Sequence, residues 1–299
     1  MSKKLHRLGA MVLSLILMLS CFAGCGGVDT TTGATKTVYG KDARVIATSV
    51  ATCEILDALG FDNVVGVPET SSYTIPERYA DATSIGSPMA PDMEIVSSLK
   101  ADVIFSPASL EGDLNAQYEN IGLDSYFLDL ESVDGMFNAI DEIGQMLEVE
   151  DAANKLIDDY LSYKEELSSS HKDAPTVLIL MGLPGGAYVV ATENSYAGSL
   201  VKLAGGVNVY GDGEGKDFLN INAEDMVEKQ PDIILRTAHA LPEQVYKAFE
   251  TEFETNDVWS HFDAVKNGKV YNLDNEKFGM SARLNYKEGI QDLEEILYE

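Results

Sequence analysis

Residues 231–242 read PDIILRTAHALP. Asp232 opens the stretch, and the apolar run Ile233, Ile234, Leu235 follows. A short run of this kind between turn formers has the pattern of a strand buried on both faces of a parallel sheet. The pattern then breaks into Arg236-Thr237-Ala238-His239, and Pro242 starts a new element. His239 therefore falls just past the carboxyl end of a strand, the edge at which open α/β sheets hold ligands. Most histidines in such loops are surface or capping residues, so this stretch alone identifies a fold element and leaves the site open.

The same unit occurs upstream. EIVSSLKADVIF (94–105) and EDMVEKQPDIIL (224–235) each place a glutamate eight positions before an aspartate that opens a buried strand. A glutamate in a helix's first turn is favoured by the helix dipole, which explains each residue singly. It does not explain why two halves of a chain share one unit. Equivalent exposed glutamates, Glu94 and Glu224, fit a two-fold symmetric partner that offers arginines. Around this unit, strands are expected over 44–48, 64–68, 103–105 and 126–128, with helices over 51–59 and 93–100. Ser49 is placed to cap the first helix and Gly60 to end it. A second series has strands over 177–181 and 188–190, within the 231–242 stretch and over 269–273, a helix over 199–204 and a final helix over 286–297. Strand and helix alternate in both series, which implies parallel α/β lobes. Between them, Leu156, Ile157, Tyr160, Leu161 and Leu167 recur at helical spacing. A helix over 151–168 would run roughly 27 Å, enough to cross between lobes. The resulting division is 1–24, 25–42, 43–149 (N-terminal lobe), 150–173 (linking helix) and 174–299 (C-terminal lobe).

The chain's 299 residues carry 49 acids against 21 bases, a formal charge of −28. That excludes the basic patch a nucleic-acid binder needs, and it excludes binding an anionic bilayer by surface charge. Lys3, Lys4 and Arg7 precede an apolar run over 11–19 too short to span a bilayer, the form of an export signal. Ala23-Gly24-Cys25 resembles a bacterial lipobox, with Phe22 where leucine is usual, and places lipid on Cys25. Residues 26–42, rich in Gly and Thr, read as a flexible tether. The expected location is therefore outside the cell, lipid-anchored to the outer face of the cytoplasmic membrane, without a spanning segment. With Cys25 lipidated, Cys53 has no partner for a disulfide. GLPGG (182–186) lacks the Lys-Ser/Thr of a phosphate loop, and its glycines read as turn chemistry.

If the two lobes face each other, Met89, just before the first unit's helix, and His239, just after the second unit's strand, both border the cleft. A thioether with an imidazole suits haem iron and is a poor pair for magnesium or calcium. Pro88 and Pro91 stiffen the loop around Met89, while Met93 and Met280 are rivals. Among the other histidines, His6 leaves with the signal, His171 ends a polar helix, and His261 reads as packed against Trp259 and Phe262. The amides of Ser49, Val50 and Ala51, at a helix start, are candidates for the haem propionates.

At these residues the chain resembles the class III substrate-binding proteins of ABC importers, which carry cobalamin, siderophores and haem. The stretches that carry the resemblance are RVIATSVATCEIL (44–56), GSPMAPDMEIVSSLKADVI (86–104), PTVLILMG (175–182), VVATENSYAGSLVKLAGG (189–206), PDIILRTAHALP (231–242) and HFDAVKNGKVYNLD (261–274). The resemblance implies two Rossmann-like lobes with parallel sheets, joined by a single long backbone helix. It implies little hinge motion and haem in the cleft as transported ligand, with axial ligation by Met89 and His239. It also implies permease docking through Glu94 and Glu224, and partners comprising an ABC permease, its ATPase and haem donor proteins at the cell surface. A monomer is expected. A ferric-siderophore or cobalamin receptor on the same fold is the alternative, with Arg236 and Tyr73 as its candidate contacts. No nucleophile–base pair or paired carboxylates mark an enzyme.

Overall fold

The computed structural model describes residues 37–70, 73–168 and 174–298. The expected export signal, Cys25 and His171 lie outside the described residues. The first lobe contains β1 (Val45–Ala47), α1 (Val50–Ala58), β2 (Val64–Val67), β3 (Thr83–Ser84), β4 (Gly86–Ser87), β5 (Ala90–Pro91), α2 (Met93–Ser98), β6 (Val103–Pro107), α3 (Glu111–Asn120) and β7 (Asp124–Leu128). Its main sheet has the order β3-β2-β1-β6-β7, parallel at every pairing. Strands β1 and β6 are buried along their whole length, as a sheet covered on both faces requires. The order reverses between β1 and β6, the switch point beside which α/β sheets hold ligands. Helix α1 begins there, capped by Ser49, whose Oγ accepts from Thr52 N at 3.1 Å.

Two helices follow, α4 (Val133–Met146) and α5 (Glu150–Ser168). The periodicity separates out only the second. They pack closely where a Cβ on Gly144 would come within 2.6 Å of the Ala153 Cβ. Tyr160 of α5 stacks on Phe137 of α4 at 4.1 Å, and its hydroxyl donates to Asp134 Oδ1 at 2.6 Å. Tyr39 and Gly40, placed in the tether by sequence, donate their amides to the Met146 carbonyl at 2.8 and 3.1 Å.

The second lobe contains β8 (Thr176–Gly182), β9 (Tyr188–Ala191), α6 (Tyr196–Leu203), β10 (Val207–Asn208), β11 (Phe218–Leu219), α7 (Ala223–Val227), β12 (Ile233–Ala238), α8 (Pro242–Thr255), α9 (Asp263–Lys266), β13 (Val270–Asn272) and α10 (Tyr286–Tyr298). Its order is β11-β9-β8-β12-β13, with β10 against the start of β8. Strands β8, β12 and β13 are parallel, as expected. Strand β9 runs antiparallel to β8, and β11 antiparallel to β9. The 183–187 connection is the reason, because a parallel return needs a crossover of roughly a dozen residues. The chain turns back instead, with Gly185 and Gly186 at φ +96° and +90° and Leu183 N donating to Ala187 O at 2.7 Å. Helix α6 starts earlier than expected because Ser195 caps it, accepting from Gly198 N at 3.1 Å.

Alternation along each central strand sorts its side chains. Val45, Ala47, Ile233 and Leu235 enter one continuous buried cluster with Phe137, Ile140 and Ile143 of α4 and Ile290 and Leu293 of α10. Ile46 and Ile104 face a separate cluster under α2 and α3, and Ile234 faces another under α8. The inner core is thus shared by both lobes. Each Val, Ile or Leu buried in it adds about 1.5–3 kcal/mol over exposure, so separating the lobes is costly.

Candidate functional site

The repeated unit has the same structure in both lobes. Asp92 caps α2 and accepts from Glu94 N and Ile95 N, and Asn222 caps α7 and accepts from Asp225 N. Glu94 and Glu224 are the second residues of these helices, and both are exposed. The aspartate eight positions later also repeats its contacts. Asp102 accepts from Arg44 N at 2.7 Å and returns its own amide to Arg44 O at 2.8 Å. Asp232 accepts from Thr176 N at 2.8 Å and returns its amide to Thr176 O at 2.9 Å. Each carboxylate pins the start of its strand to the central strand, and so fixes the glutamate's helix relative to the sheet.

Met89 occupies the turn of the β4–β5 hairpin, in which Gly86 pairs with Pro91 and Ser87 with Ala90. The hairpin is held at its base by Asp92 N donating to Ile85 O and Glu69 N to Gly86 O, both at 2.8 Å. Pro91 is buried, whereas Met89 is 66% exposed. His239 directly follows β12. Its amide donates to Gly182 O at 3.0 Å, extending the β8–β12 ladder by one bond, and its side chain is exposed. Each side chain therefore projects from backbone that is tied down, one in each lobe. Leu241, two residues on, is left-handed at φ 50°, ψ 56° and is 52% exposed.

A cavity of about 350 Å³ opens beside the His239 loop, lined by Tyr73, Pro242, Tyr246 and Leu273 and rimmed by Glu243 and Asp274. Tyr73 OH donates to Asn275 O at 3.4 Å, and Tyr246 OH donates to Leu273 O. Burial raises both phenols, with the Asp274 charge adding to the effect on Tyr246, which is pushed up to about 12. Both stay protonated at neutral pH. A larger cavity of about 660 Å³ lies against α5 and α6. It is more polar, its lysines are already paired (Lys164 with Asp134, Lys202 with Glu193), and none of the sequence-predicted site residues lines it. Neither Met89 nor His239 lines either of these two cavities; the smaller one is next to the His239 loop.

Arg236, a candidate siderophore contact, is committed elsewhere. Its guanidinium lies 5.0 Å from the Phe253 ring centroid and 5.6 Å from that of Phe249, both on α8. His261 is also placed differently from expectation. The short turn at Asp257–His261 buries Trp259 and Phe262, which stack at 5.0 Å, and leaves the His261 side chain 64% exposed. Met93 and Met280 are half-buried. Cys53 is buried, which pushes its thiol up to about 12 and leaves it unreactive. Sequence reasoning passed over Glu54 and Arg283, which form a side-chain pair across 229 positions. No local pattern signals a contact at that separation.

Residues 45–277 match the periplasmic binding protein family. The chain is 36% identical over 291 residues to the high-affinity heme uptake system protein IsdE of Staphylococcus aureus, covering 96% of each chain. A crystal structure of an ABC transporter substrate-binding protein from Listeria monocytogenes EGD-e is similar at a TM-score of 0.80 and 45% identity, covering 86% of this chain and 98% of that one. The structure of S. aureus IsdE complexed with heme is similar at a TM-score of 0.79 and 38% identity, covering 86% and 99%. With two α/β lobes around a shared core, one repeated unit and a family match across both lobes, the chain belongs to the periplasmic binding protein family.

Proposed function

We propose that this chain is the haem receptor of an ABC importer, holding haem between its lobes through Met89 and His239 and passing it to a permease driven by an ATPase. It is a binding protein and not an enzyme, as its relatives are. The observation that carries the ligand assignment is the pairing of Met89 and His239: a thioether and an imidazole, both exposed, each at the end of hydrogen-bonded backbone, one per lobe. Met/His ligation is an established haem arrangement. A bare divalent ion would need three or four side-chain donors, and among the described residues no three His, Cys, Asp or Glu form such a cluster. The α1 start suits the propionates. Ser49 takes up Thr52 N, and the preceding amides, including Val50 and Ala51, have no carbonyl a turn earlier to bond.

Glu94 and Glu224 are the docking residues in this reading, presented alike by the two lobes for basic groups on a permease. The chain is exported and held to the outer face of the cytoplasmic membrane by lipid on Cys25, with residues 1–24 removed and a tether that ends before Tyr39, where the chain joins the folded body. The linking helix α5 (Glu150–Ser168) and the shared inner core keep hinge motion small. The siderophore alternative, with Arg236 and Tyr73 as its contacts, is less favoured, because Arg236 stacks on α8 and the Tyr73 hydroxyl donates to the Asn275 carbonyl. The test is an absorption titration with haemin. A six-coordinate, low-spin spectrum is expected for the unaltered protein, and Met89→Ala and His239→Ala should each change it. If neither variant alters the spectrum or the rate of haem loss, the ligand assignment fails.

A further inference from the structure

Glu54 lies on α1 in the first lobe, and Arg283 precedes α10 in the second. Arg283 Nε donates to Glu54 Oε2 at 3.0 Å and its Nη2 donates to Oε1, a two-pronged ion pair between the lobes. The side chains are 17% and 21% exposed. The guanidinium also covers the Tyr73 ring, 4.5 Å from its centroid, and Nη1 donates to Glu276 O at 3.1 Å. Tyr73 in turn lines the cavity beside the His239 loop. The second lobe's backbone approaches so closely that a Cβ on Gly279 would sit 3.1 Å from the Tyr73 hydroxyl.

An exposed monodentate pair would contribute little, and this pair is neither exposed nor monodentate. A half-buried pair offers no clear gain in stability over apolar packing. What it does offer is geometry, since two fixed charges and a planar fork hold their backbones at one spacing. We propose that Glu54 and Arg283 form a positioning strut that sets the span of the cleft, holding the Met89 hairpin and the His239 loop at the separation one iron requires. Their role in this proposal is to position the two loops, not to bind the haem. This inference rests on the haem reading above. When the strut is cut, the ligand lost first is the thioether, a weaker axial donor than imidazole.

The test uses the full-length protein with Glu54→Ala, Arg283→Ala and the double variant, plus Glu54→Gln and Arg283→Lys as milder changes in case a truncation fails to fold. Haemin loss is timed into an excess of haem-free globin, and the spin state is read by absorption. Each alanine variant should release haemin about tenfold faster or more and shift part of the spectrum to high spin. The double variant should be no worse than the singles, and Arg283→Lys should fall between. A second arm needs no haem. The amides of Ala282, which donates to Leu130 O at 2.7 Å, and Val133, which donates to Ser199 Oγ at 3.2 Å, bridge the lobes and should exchange faster with deuterium in the variants. Release within twofold of the unaltered protein, or effects that multiply in the double variant, overturns the strut. Should the unaltered protein bind no haemin, the haem reading fails, and the exchange arm alone decides the strut: faster exchange supports it and unchanged exchange refutes it.

Discussion

Met89→Ala separates a ligand from a packing residue. Met89 is 66% exposed, so folding removes about a third of it from water. Full burial of such a side chain adds about 1.5–3 kcal/mol, so truncation should cost the haem-free protein less than about 1 kcal/mol. For a body of this size that is a fall in Tm of no more than about 4 °C. Met226, fully buried in the outer core under α8, is the internal contrast. Met226→Ala removes a side chain with no exposed surface and should cost about 2–5 kcal/mol, a fall on the order of 10 °C. The two variants should trade places when haemin is added. Met226→Ala should keep the low-spin spectrum of the unaltered protein, and Met89→Ala should lose it. Differential scanning calorimetry without haemin and an absorption titration with it measure both effects. A haem-free Met89→Ala as unstable as Met226→Ala, or a Met89→Ala whose haem spectrum is unchanged, would refute the reasoning.

Three further outcomes follow from the geometry. Leu241 precedes Pro242 and has a left-handed backbone, a conformation that costs a non-glycine residue about 1–2 kcal/mol. Leu241→Gly should therefore match or exceed Leu241→Ala in stability, by about 0.5–1 kcal/mol after glycine's extra entropy, in denaturant melts; a glycine variant clearly weaker than the alanine one would remove the strain argument. Glu94→Lys combined with Glu224→Lys should abolish haem-dependent growth of cells relying on this importer while haemin affinity in vitro is unchanged, and loss of affinity would remove the docking role. Burial, then the neighbouring Asp217 and Asp129 charges, raises Glu131, and burial followed by the Asp129 charge raises Asp217. The folded state thus holds these protons more tightly than the unfolded one, so stability gained at low pH is lost as pH rises from the unfolded carboxylate range through the raised values. Glu131→Gln should stabilise the protein at pH 7 by on the order of 0.5 kcal/mol, since both groups keep contact with solvent, and by nothing near pH 4. Equal effects at both pH values in thermal melts would contradict this.

Much of the fold was legible because burial writes itself into short β-branched runs. Ile233–Leu235 and Val103–Phe105, short β-branched runs between turn formers, have the pattern of inner strands, and Ser49 and Gly60 bound α1 by chemistry that acts within four residues. The echo of Glu94 and Glu224 was legible for the same reason, since each unit is local. The direction of β9 was misjudged because alternation records burial and is silent on strand polarity; the short 183–187 connection held that information. The roles of Arg236 and His261 were not legible, because which side of an element faces an aromatic cluster depends on packing from α8 and the 257–261 turn. The strut was beyond reach, as Glu54 and Arg283 meet only once both lobes have folded. For Met89 and His239 the residue types were readable, along with their positions at element ends.

The most direct measurement is a crystal structure of the protein grown with haemin. One iron is expected between the lobes, bonded on one face by Met89 Sδ and on the other by a His239 ring nitrogen. A haem iron ligated by any other side chain, Met280 or Tyr73 included, or a haem seated outside the space between the two loops, would contradict it.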